Sequence, residues 1–269
     1  MKSEKIVLVI PVYNNARLTD QCLKSISKYA DVNPGAEVLV VDDGSEQETK
    51  DCLKAHPVTV LTNEKNCGYL TTTNRGIRHA LDVINADLVV LMNNDLEVKD
   101  DWLGRLVSVM DRYDLSGYSN AGKKWFLKKK FHRETWYVEG SCMMVKREVF
   151  NKVGILDPAF KTGYYSDDDI CLRALIEGFS IGLVDNDRLH FVHHLGGKTF
   201  GRNKFHFMRN DYTAFIDKWG KAKGNVVVEN YLNKWMFNPH NRLFRAIEGF
   251  GALLNSLYLR LGLVSRSNT

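Results

Sequence analysis

Four short apolar runs, three of which stop abruptly at a polar cluster, constrain this chain more than any other feature. Ile6 to Val12 is an unbroken β-branched and apolar run that meets Tyr13-Asn14-Asn15, and Leu18 to Tyr29 then carries apolar residues at helical spacing. Glu37 to Val41 repeats the pattern before Asp42-Asp43-Gly44-Ser45, and a polar helix is expected to run through Lys54, its start marked by Ser45 and nearby acids. Val58 to Leu61 predicts a third strand and Thr71 to Leu81 a helix, while Asp87 to Met92 predicts a fourth strand ending on Asn93-Asn94-Asp95. Apolar strands alternating with helices predict a parallel sheet in an α/β fold, whose ligands lie beyond the carboxyl ends of the strands. The polar clusters should therefore converge. The stretch from 100 to 200 is less regular, with helices expected at Trp102 to Tyr113 and Asp169 to Gly178 and a strand near Cys142 to Lys146.

A chain of 269 residues, 44% apolar and 26% charged, can bury one or two ordinary cores and is not a disordered or multi-spanning membrane protein. Its net charge of +5 comes without a reading motif, which argues against a nucleic-acid partner. Five cysteines, Cys22, Cys52, Cys67, Cys142 and Cys171, form no CxxC pair, as expected of a chain kept in a reducing cytosol. The N-terminal apolar run is short and reads as a strand rather than a signal peptide, and no stretch approaches the ~20 apolar residues of a membrane span.

The polar clusters carry the chemistry. Asp42-Asp43 suits either a helix cap with a solvated turn or a carboxylate that accepts from ribose hydroxyls or a base edge. Asn93-Asn94-Asp95 suits either an Asx-rich turn or one hard divalent cation completed by phosphate oxygens and water. Ser166-Asp167-Asp168-Asp169 sets three carboxylates in line. Asp169 is expected to cap the following helix, which leaves Asp167 or Asp168 to face a ligand as a general base. His193-His194-Leu195-Gly196-Gly197 offers imidazole for metal or phosphate beside glycines that admit a close backbone. Gly68 and Gly76 form neither GxGxxG nor a P-loop, which weighs against a dehydrogenase or a P-loop kinase.

Taken in order, VIPVYNN, VDDGS, NEKNCGYLTTTNRGIRHA, LVVLMNNDLEV, the Gly140 to Phe160 segment, YYSDDDICLRALIEGF and HHLGGKT resemble family 2 glycosyltransferases over about residues 5 to 220. The resemblance implies a GT-A fold with a Rossmann-like, mostly parallel sheet, a nucleotide-diphospho-sugar donor, Mn²⁺ or Mg²⁺, and inverting transfer by a single displacement. It implies that Pro11, Tyr13, Asp42, Asp43, Asn66, Gly68, Asn74, Asn93 and Asn94 surround the donor. Asp95 and His194 would then hold the metal. Gly140, Ser166, Asp169 and Arg173 would lie toward the acceptor. Asp167 aligns with the base, with Asp168 and Asp169 as rivals, because the family often has Glu-Asp where this chain has Ser166-Asp167. The metal motif here is NND rather than DXD, which makes Asp95 its one carboxylate.

The implied organisation is a catalytic domain over residues 1–220, its donor half at 1–98 and its acceptor half at 99–205, followed by a helical extension at 221–269. Lys123 to Arg133 interleaves lysines with Trp125, Phe126 and Phe131, suiting either a solvated charge run or a loop over phosphates or an anionic lipid-linked acceptor. In the tail, Leu243, Ile247, Phe250, Leu254 and Leu257 fall on one helical face with a basic flank. That face suits a membrane surface, and equally its own domain or a second copy in a homodimer. The context implied is cytoplasmic, peripheral on the inner face of a cell membrane, making O-antigen or capsule from a UDP-sugar, or next a dTDP-sugar, on a polyprenyl-diphosphate-linked saccharide or glycan. Two other readings stay open: a sugar-nucleotide nucleotidyltransferase, and a non-catalytic sugar-nucleotide-binding subunit.

Overall fold

The computed structural model describes residues 4–118, 132–185, 191–195, 204–222 and 224–236. Two compact units divide the chain, Met1–Asp211 and Tyr212–Thr269. The first is built on an eight-stranded sheet. Its strands are β1 (Ile6–Val12), β2 (Ala36–Asp42), β3 (Thr59–Thr62), β4 (Leu88–Met92), β6 (Leu115–Tyr118), β7 (His132–Thr135), β8 (Cys142–Lys146) and β9 (Ile181–Val184), and a separate ribbon pairs β5 (Leu96–Val98) with β10 (Val192–His194). The sheet order is β3-β2-β1-β4-β8-β6-β9-β7.

The first four strands pair in parallel, with β1 between β2 and β4. Every residue of β1 and β4 is buried, as a strand covered on both faces requires, and this is why these segments read as continuous apolar runs rather than alternating ones. The expected strand at Ile6 to Val12 forms over those residues, and the expected strand near Cys142 to Lys146 forms as β8. Helices α1 (Ala16–Lys28), α2 (Gln47–Lys54) and α3 (Tyr69–Arg78) return the chain between the parallel strands. Beyond β4 the sheet changes character: β8 runs antiparallel to both β4 and β6, and β7 antiparallel to β9.

Several local expectations are corrected. The helix expected from Trp102 to Tyr113 ends earlier as α4 (Trp102–Val107), after which the chain continues in turns. The helix expected from Thr71 begins two residues sooner and passes into a π-helical turn at His79–Val83. Ser45 does not cap α2; its hydroxyl accepts the Asn14 N–H at 2.9 Å instead. Asp169 does not cap the helix after the acidic run. That helix, α6 (Ser166–Ile176), follows α5 (Arg147–Val153) and has Tyr165, in the left-handed region at φ 63°, at its N-cap position, so Asp169 lies inside it. The acidic string supplies the first turn, where carboxylates are favoured by the helix dipole.

The second unit holds the end of α7 (Lys204–Trp219) and α8 (Val226–Met236), where the rings of Phe215 and Tyr231, both buried, lie 6.4 Å apart at 37°. The basic stretch from Lys123 to Phe131, the Gly196-Gly197 pair and the amphipathic tail face from Asn241 to Arg260 lie outside the described residues. Among the described residues no helix is long and apolar enough to cross a membrane.

Helix α3 lies close on the parallel strands because residue 76 has no side chain. A Cβ there would stand 2.4 Å from Val9 Cγ1 and 2.9 Å from Val41 Cγ2, both on fully buried strand residues. Gly76→Ala is expected to destabilise the protein by about 1–3 kcal/mol through overpacking, read as a lower denaturant midpoint at unchanged slope.

Candidate active site

The loops that leave β1 and β2 are stitched together before any ligand arrives. Asn14 and Asn15 adopt the left-handed conformation at φ 54° and 57°, and Asn14 Oδ1 accepts the Glu46 N–H at 2.9 Å while its own N–H reaches Ser45. Tyr13, at the end of β1, is 44% exposed, so its ring is available to stack on a planar ligand. Pro11 is buried in β1 beyond Val9↔Leu91, the last residue pair with β4.

The two aspartates after β2 do different work. Asp43 is consumed internally: Oδ1 accepts from Asn63 Nδ2 and the Cys67 N–H, both at 2.8 Å, and Oδ2 accepts the Gly68 N–H at 2.9 Å. It is a clamp on the 66–68 loop, which Asn66 also supports by accepting the Gly68 N–H at 3.0 Å. Gly68, at φ 88°, and Gly44, at φ 71°, let this loop form, since a Cβ on Gly44 would stand 2.7 Å from the Lys65 backbone. Asp42 is fully buried. Its Oδ1 accepts the Ser45 N–H at 3.0 Å, whereas Oδ2 is buried with no hydrogen-bond partner. A buried carboxylate oxygen left unpaired is costly, and a ligand hydroxyl or imino group would satisfy it.

Asn74, expected at the donor, carries a structural pair: Nδ2 donates to the Leu156 carbonyl at 2.7 Å and Oδ1 accepts the Leu156 N–H at 3.1 Å. That pair ties α3 to a segment 82 positions away.

The NND cluster extends β4, and each member is held differently. The Asn93 N–H donates to the Ser141 carbonyl at 3.0 Å, prolonging the β4–β8 pairing, and Asn93 Oδ1 accepts from the Tyr69 hydroxyl at 3.3 Å. Asn94 Nδ2 donates to the Thr19 hydroxyl at 2.8 Å. Asp95 is 7% exposed, and its Oδ1 lies 2.9 Å from Nε2 of His194, which is 99 positions away in the chain. The β5–β10 ribbon makes this approach: it pairs His194 with Leu96, and the Leu195 N–H reaches the Asp95 carbonyl at 2.8 Å. Two adjacent ligands of an octahedral dication with bonds of about 2.1 Å sit about 3 Å apart, and a carboxylate with an imidazole is a suitable donor pair. Asp95 and His194 therefore fit a divalent metal whose other positions are filled by ligand oxygens and water. Apart from this pair, one group of three metal-ligating side chains occurs among the described residues, Asp20, Cys52 and His56.

Of the acidic run, Asp167 has the environment of a base. Its Oδ2 accepts from the Tyr137 hydroxyl at 2.9 Å and the Gly140 N–H at 3.0 Å, and Oδ1 accepts the Asp168 N–H at 3.1 Å. Burial raises the carboxyl above the usual range against the lowering effect of these bonds. The neighbouring positions Ser166, Asp169 and Arg173 also carry structural bonds. Asp169 is fully buried and paired with Arg173 Nε at 2.8 Å, and the Arg173 guanidinium donates to the carbonyls of Val153, of Gly154 at 3.3 Å and of Ile155 at 3.0 Å. Both are spent on bracing α6, as is the Ser166 hydroxyl, which donates to the Gly163 carbonyl at 2.6 Å.

Gly140 is the link between the two halves. It holds Asp167, and its neighbour Ser141 holds Asn93, so the acidic run and the NND cluster are tied to adjacent residues on β8's approach. Tyr69 lies between them: burial raises its hydroxyl, and the charges of Asp167 and Asp95 both add to the shift. Tyr137, Tyr69 and Thr19 carry no signal in the sequence that marks them out, because each acts through a partner far along the chain.

The sequence model of glycosyl transferase family 2 matches residues 7–163. The chain belongs to that family and is a glycosyltransferase. It is 27% identical over 259 residues to the low-salt glycan biosynthesis hexosyltransferase Agl10 of Haloferax volcanii, covering 84% of each chain. It is 32% identical over 140 residues to an undecaprenyl-phosphate 4-deoxy-4-formamido-L-arabinose transferase of Sodalis glossinidius, spanning 48% of this chain and 41% of that one. Among solved structures it resembles the mannosyltransferase PcManGT of Pyrobaculum calidifontis, solved with GDP-Man and Mn²⁺, at a TM-score of 0.64 and 19% identity over 97% of this chain and 81% of that chain. The fold is GT-A.

Removing the Asp43 carboxylate would strand the Cys67 N–H and leave the Gly68 N–H and the Asn63 amide only their second acceptors, Asn66 Oδ1 at 3.0 Å and the Thr72 hydroxyl at 3.1 Å. Asp43→Ala is expected to cost about 2–4 kcal/mol of stability, from the lost bonds and the stranded donor, measured by denaturant unfolding.

Proposed function

We propose that this glycosyltransferase is inverting and moves a sugar from a nucleotide-diphospho-sugar to a hydroxyl of a lipid-linked or glycan acceptor in cell-surface glycan synthesis. The observation that carries the reading is the meeting of Asp95 with His194 at 2.9 Å, one link along β4 and β8 from a base held by Tyr137 and Gly140. In this reading Tyr13 stacks on the nucleobase, Asp42 Oδ2 accepts from the nucleoside, and Asn94 lies at ribose or phosphate. Residues 1–98 form the donor half and 99–205 the acceptor half of a catalytic domain ending near 220. The Agl10 and arabinose-transferase relatives support a glycan or polyprenyl-linked acceptor, and the PcManGT complex supports Mn²⁺, with Mg²⁺ the alternative ion. UDP is the first donor nucleotide to test, then dTDP, with GDP included because PcManGT holds GDP-Man. The amphipathic face read at Asn241 to Arg260 is the candidate contact with the membrane that carries the acceptor.

The chemistry follows from the held groups. Asp167 takes the acceptor hydroxyl proton as that oxygen attacks the anomeric carbon, and the sugar leaves the diphosphate in the same displacement. Tyr137 and Gly140 fix the carboxylate so that Oδ1 keeps a lone pair for the proton. Asp95 and His194 would hold a divalent cation, which would supply electrostatic stabilisation of the charge growing on the departing diphosphate. The elevated proton affinity of Asp167 makes it a better base than an ordinary surface carboxylate.

A donor panel of UDP-, dTDP- and GDP-sugars with and without Mn²⁺ tests the reading. One nucleotide should be released in a metal-dependent way. Asp95→Ala should weaken donor binding at least tenfold, and Asp167→Asn should bind donor normally but lose at least a hundredfold in kcat. Absence of binding by any nucleotide-sugar would overturn the proposal.

The base also sets a pH dependence. Asp167 must be ionised to act, so kcat falls as pH drops through its raised pKa. The Tyr137 hydroxyl lowers that pKa by bonding the charged form. Tyr137→Phe should therefore move the acid limb of kcat to higher pH, measured as a full pH profile beside wild type.

A further inference from the structure

On the side of α1 and α2, apart from the site described above, three side chains from two helices and the turn after them meet. Asp20 projects from α1, Cys52 from α2 and His56 from the segment that follows α2. One ligand atom from each lies within 4.8 Å of the other two, and Asp20 Oδ1 is already 3.1 Å from His56 Nε2. The His56 side chain is only 7% exposed and that of Asp20 33%, so the cluster is recessed but open to a small ion. Cys52 Sγ faces the Ala16 carbonyl at 3.5 Å, a weak bond that is readily given up.

We propose that Asp20, Cys52 and His56 form a binding site for a thiophilic divalent cation of the zinc class, separate from the metal pair at Asp95 and His194. Carboxylate, thiolate and imidazole are the three ligand types that zinc prefers, and three protein ligands with a water complete a tetrahedron. Ligand atoms on such an ion stand about 3.5 Å apart. The Asp20–His56 pair, at 3.1 Å, is already near that spacing, and the Cys52 sulfur lies within 4.8 Å of both, a gap that a small shift of its side chain would close. On binding, the Cys52 thiol releases one proton to solvent and the sulfur coordinates as thiolate. Burial and the negative charge of Asp20 hold that thiol above its usual range in the metal-free protein, which keeps it inert until a dication offsets the charge. Lys24, 2.7 Å from Asp20 Oδ2, bonds the oxygen that the ion does not need.

The placement gives the ion a structural consequence. Helix α1 begins directly after Asn14-Asn15 and α2 directly after Ser45-Glu46, the residues that stitch the two loops together. Thr19, the residue before Asp20, holds Asn94. An ion clasping α1 to the end of α2 would brace both loops and the NND cluster from behind.

The test is metal binding by the full-length protein, stripped with chelator and carrying Cys67→Ser to remove its exposed thiol. Titration with Co²⁺ should give a thiolate-to-metal charge-transfer band in the near ultraviolet, displaced by Zn²⁺ but not by Mn²⁺. Cys52→Ser should abolish the band, and His56→Gln should weaken Zn²⁺ binding at least tenfold in competition with a chromophoric chelator. Both variants are checked for unchanged circular dichroism, and the band should persist in Asp95→Ala, which separates this site from the one at Asp95. A band that survives Cys52→Ser, or no band with the protein folded, would overturn the proposal.

Discussion

The whole arrangement hangs on the parallel pairing of β1 between β2 and β4. Because these strands run the same way and are buried on both faces, the first polar residues after each emerge along one edge of the sheet. The register Val12↔Asp42 sets the loop after β1 beside the aspartates after β2, and the Asp43 N–H closes on the Val12 carbonyl at 2.8 Å. Without a shared strand direction, Tyr13, Asp42 and Asn93 would leave the sheet at opposite ends. Gly76 completes this constraint by letting α3 lie directly on Val9 and Val41.

The second half of the site is attached by a change of direction. Strand β8 runs antiparallel to β4, so the residues that precede it, Gly140 and Ser141, reach the end of β4 where the NND cluster begins. One short segment thereby holds Asp167 through Gly140 and Asn93 through Ser141. An all-parallel sheet would place the start of β8 at the other end. The β5–β10 ribbon adds the last group, His194, by cross-strand register with Leu96. Backbone pairing, rather than side-chain affinity, brings these groups together, and the charges then find partners already in reach.

Several polar residues near the site are already engaged by the protein's own groups. Asp43 is spent on the 66–68 loop, Asn74 on Leu156, and Asp169 with Arg173 on the carbonyls after α5. Their types match those of reacting groups because both tasks call for charge-assisted or bidentate hydrogen bonds in a buried place. What separates them is the count of filled lone pairs. Asp42 keeps a buried oxygen without a partner, whereas the oxygens of Asp43 are both engaged by donors.

Local structure was legible in the residues themselves: β1, β4 and β8 follow from apolar runs, and the polar strings that hold Asp42, Asp95 and Asp167 fall at strand and helix ends, since burial and turn formation act over a few positions. The extent of α4 and the start of α6 were misread, because helix ends depend on what the termini pack against. The meeting of Asp95 with His194, the support of Asp167 by Tyr137 and the pairing of Asn74 with Leu156 span 99, 30 and 82 positions, and nothing in local sequence encodes such pairings. The sequence by itself determined which segments become buried strands and which polar clusters follow them, because the hydrophobic effect and backbone propensities are local in the chain. Only the tertiary structure decided which carboxylates remain available for chemistry, because that depends on which distant donors the sheet register brings within hydrogen-bonding reach.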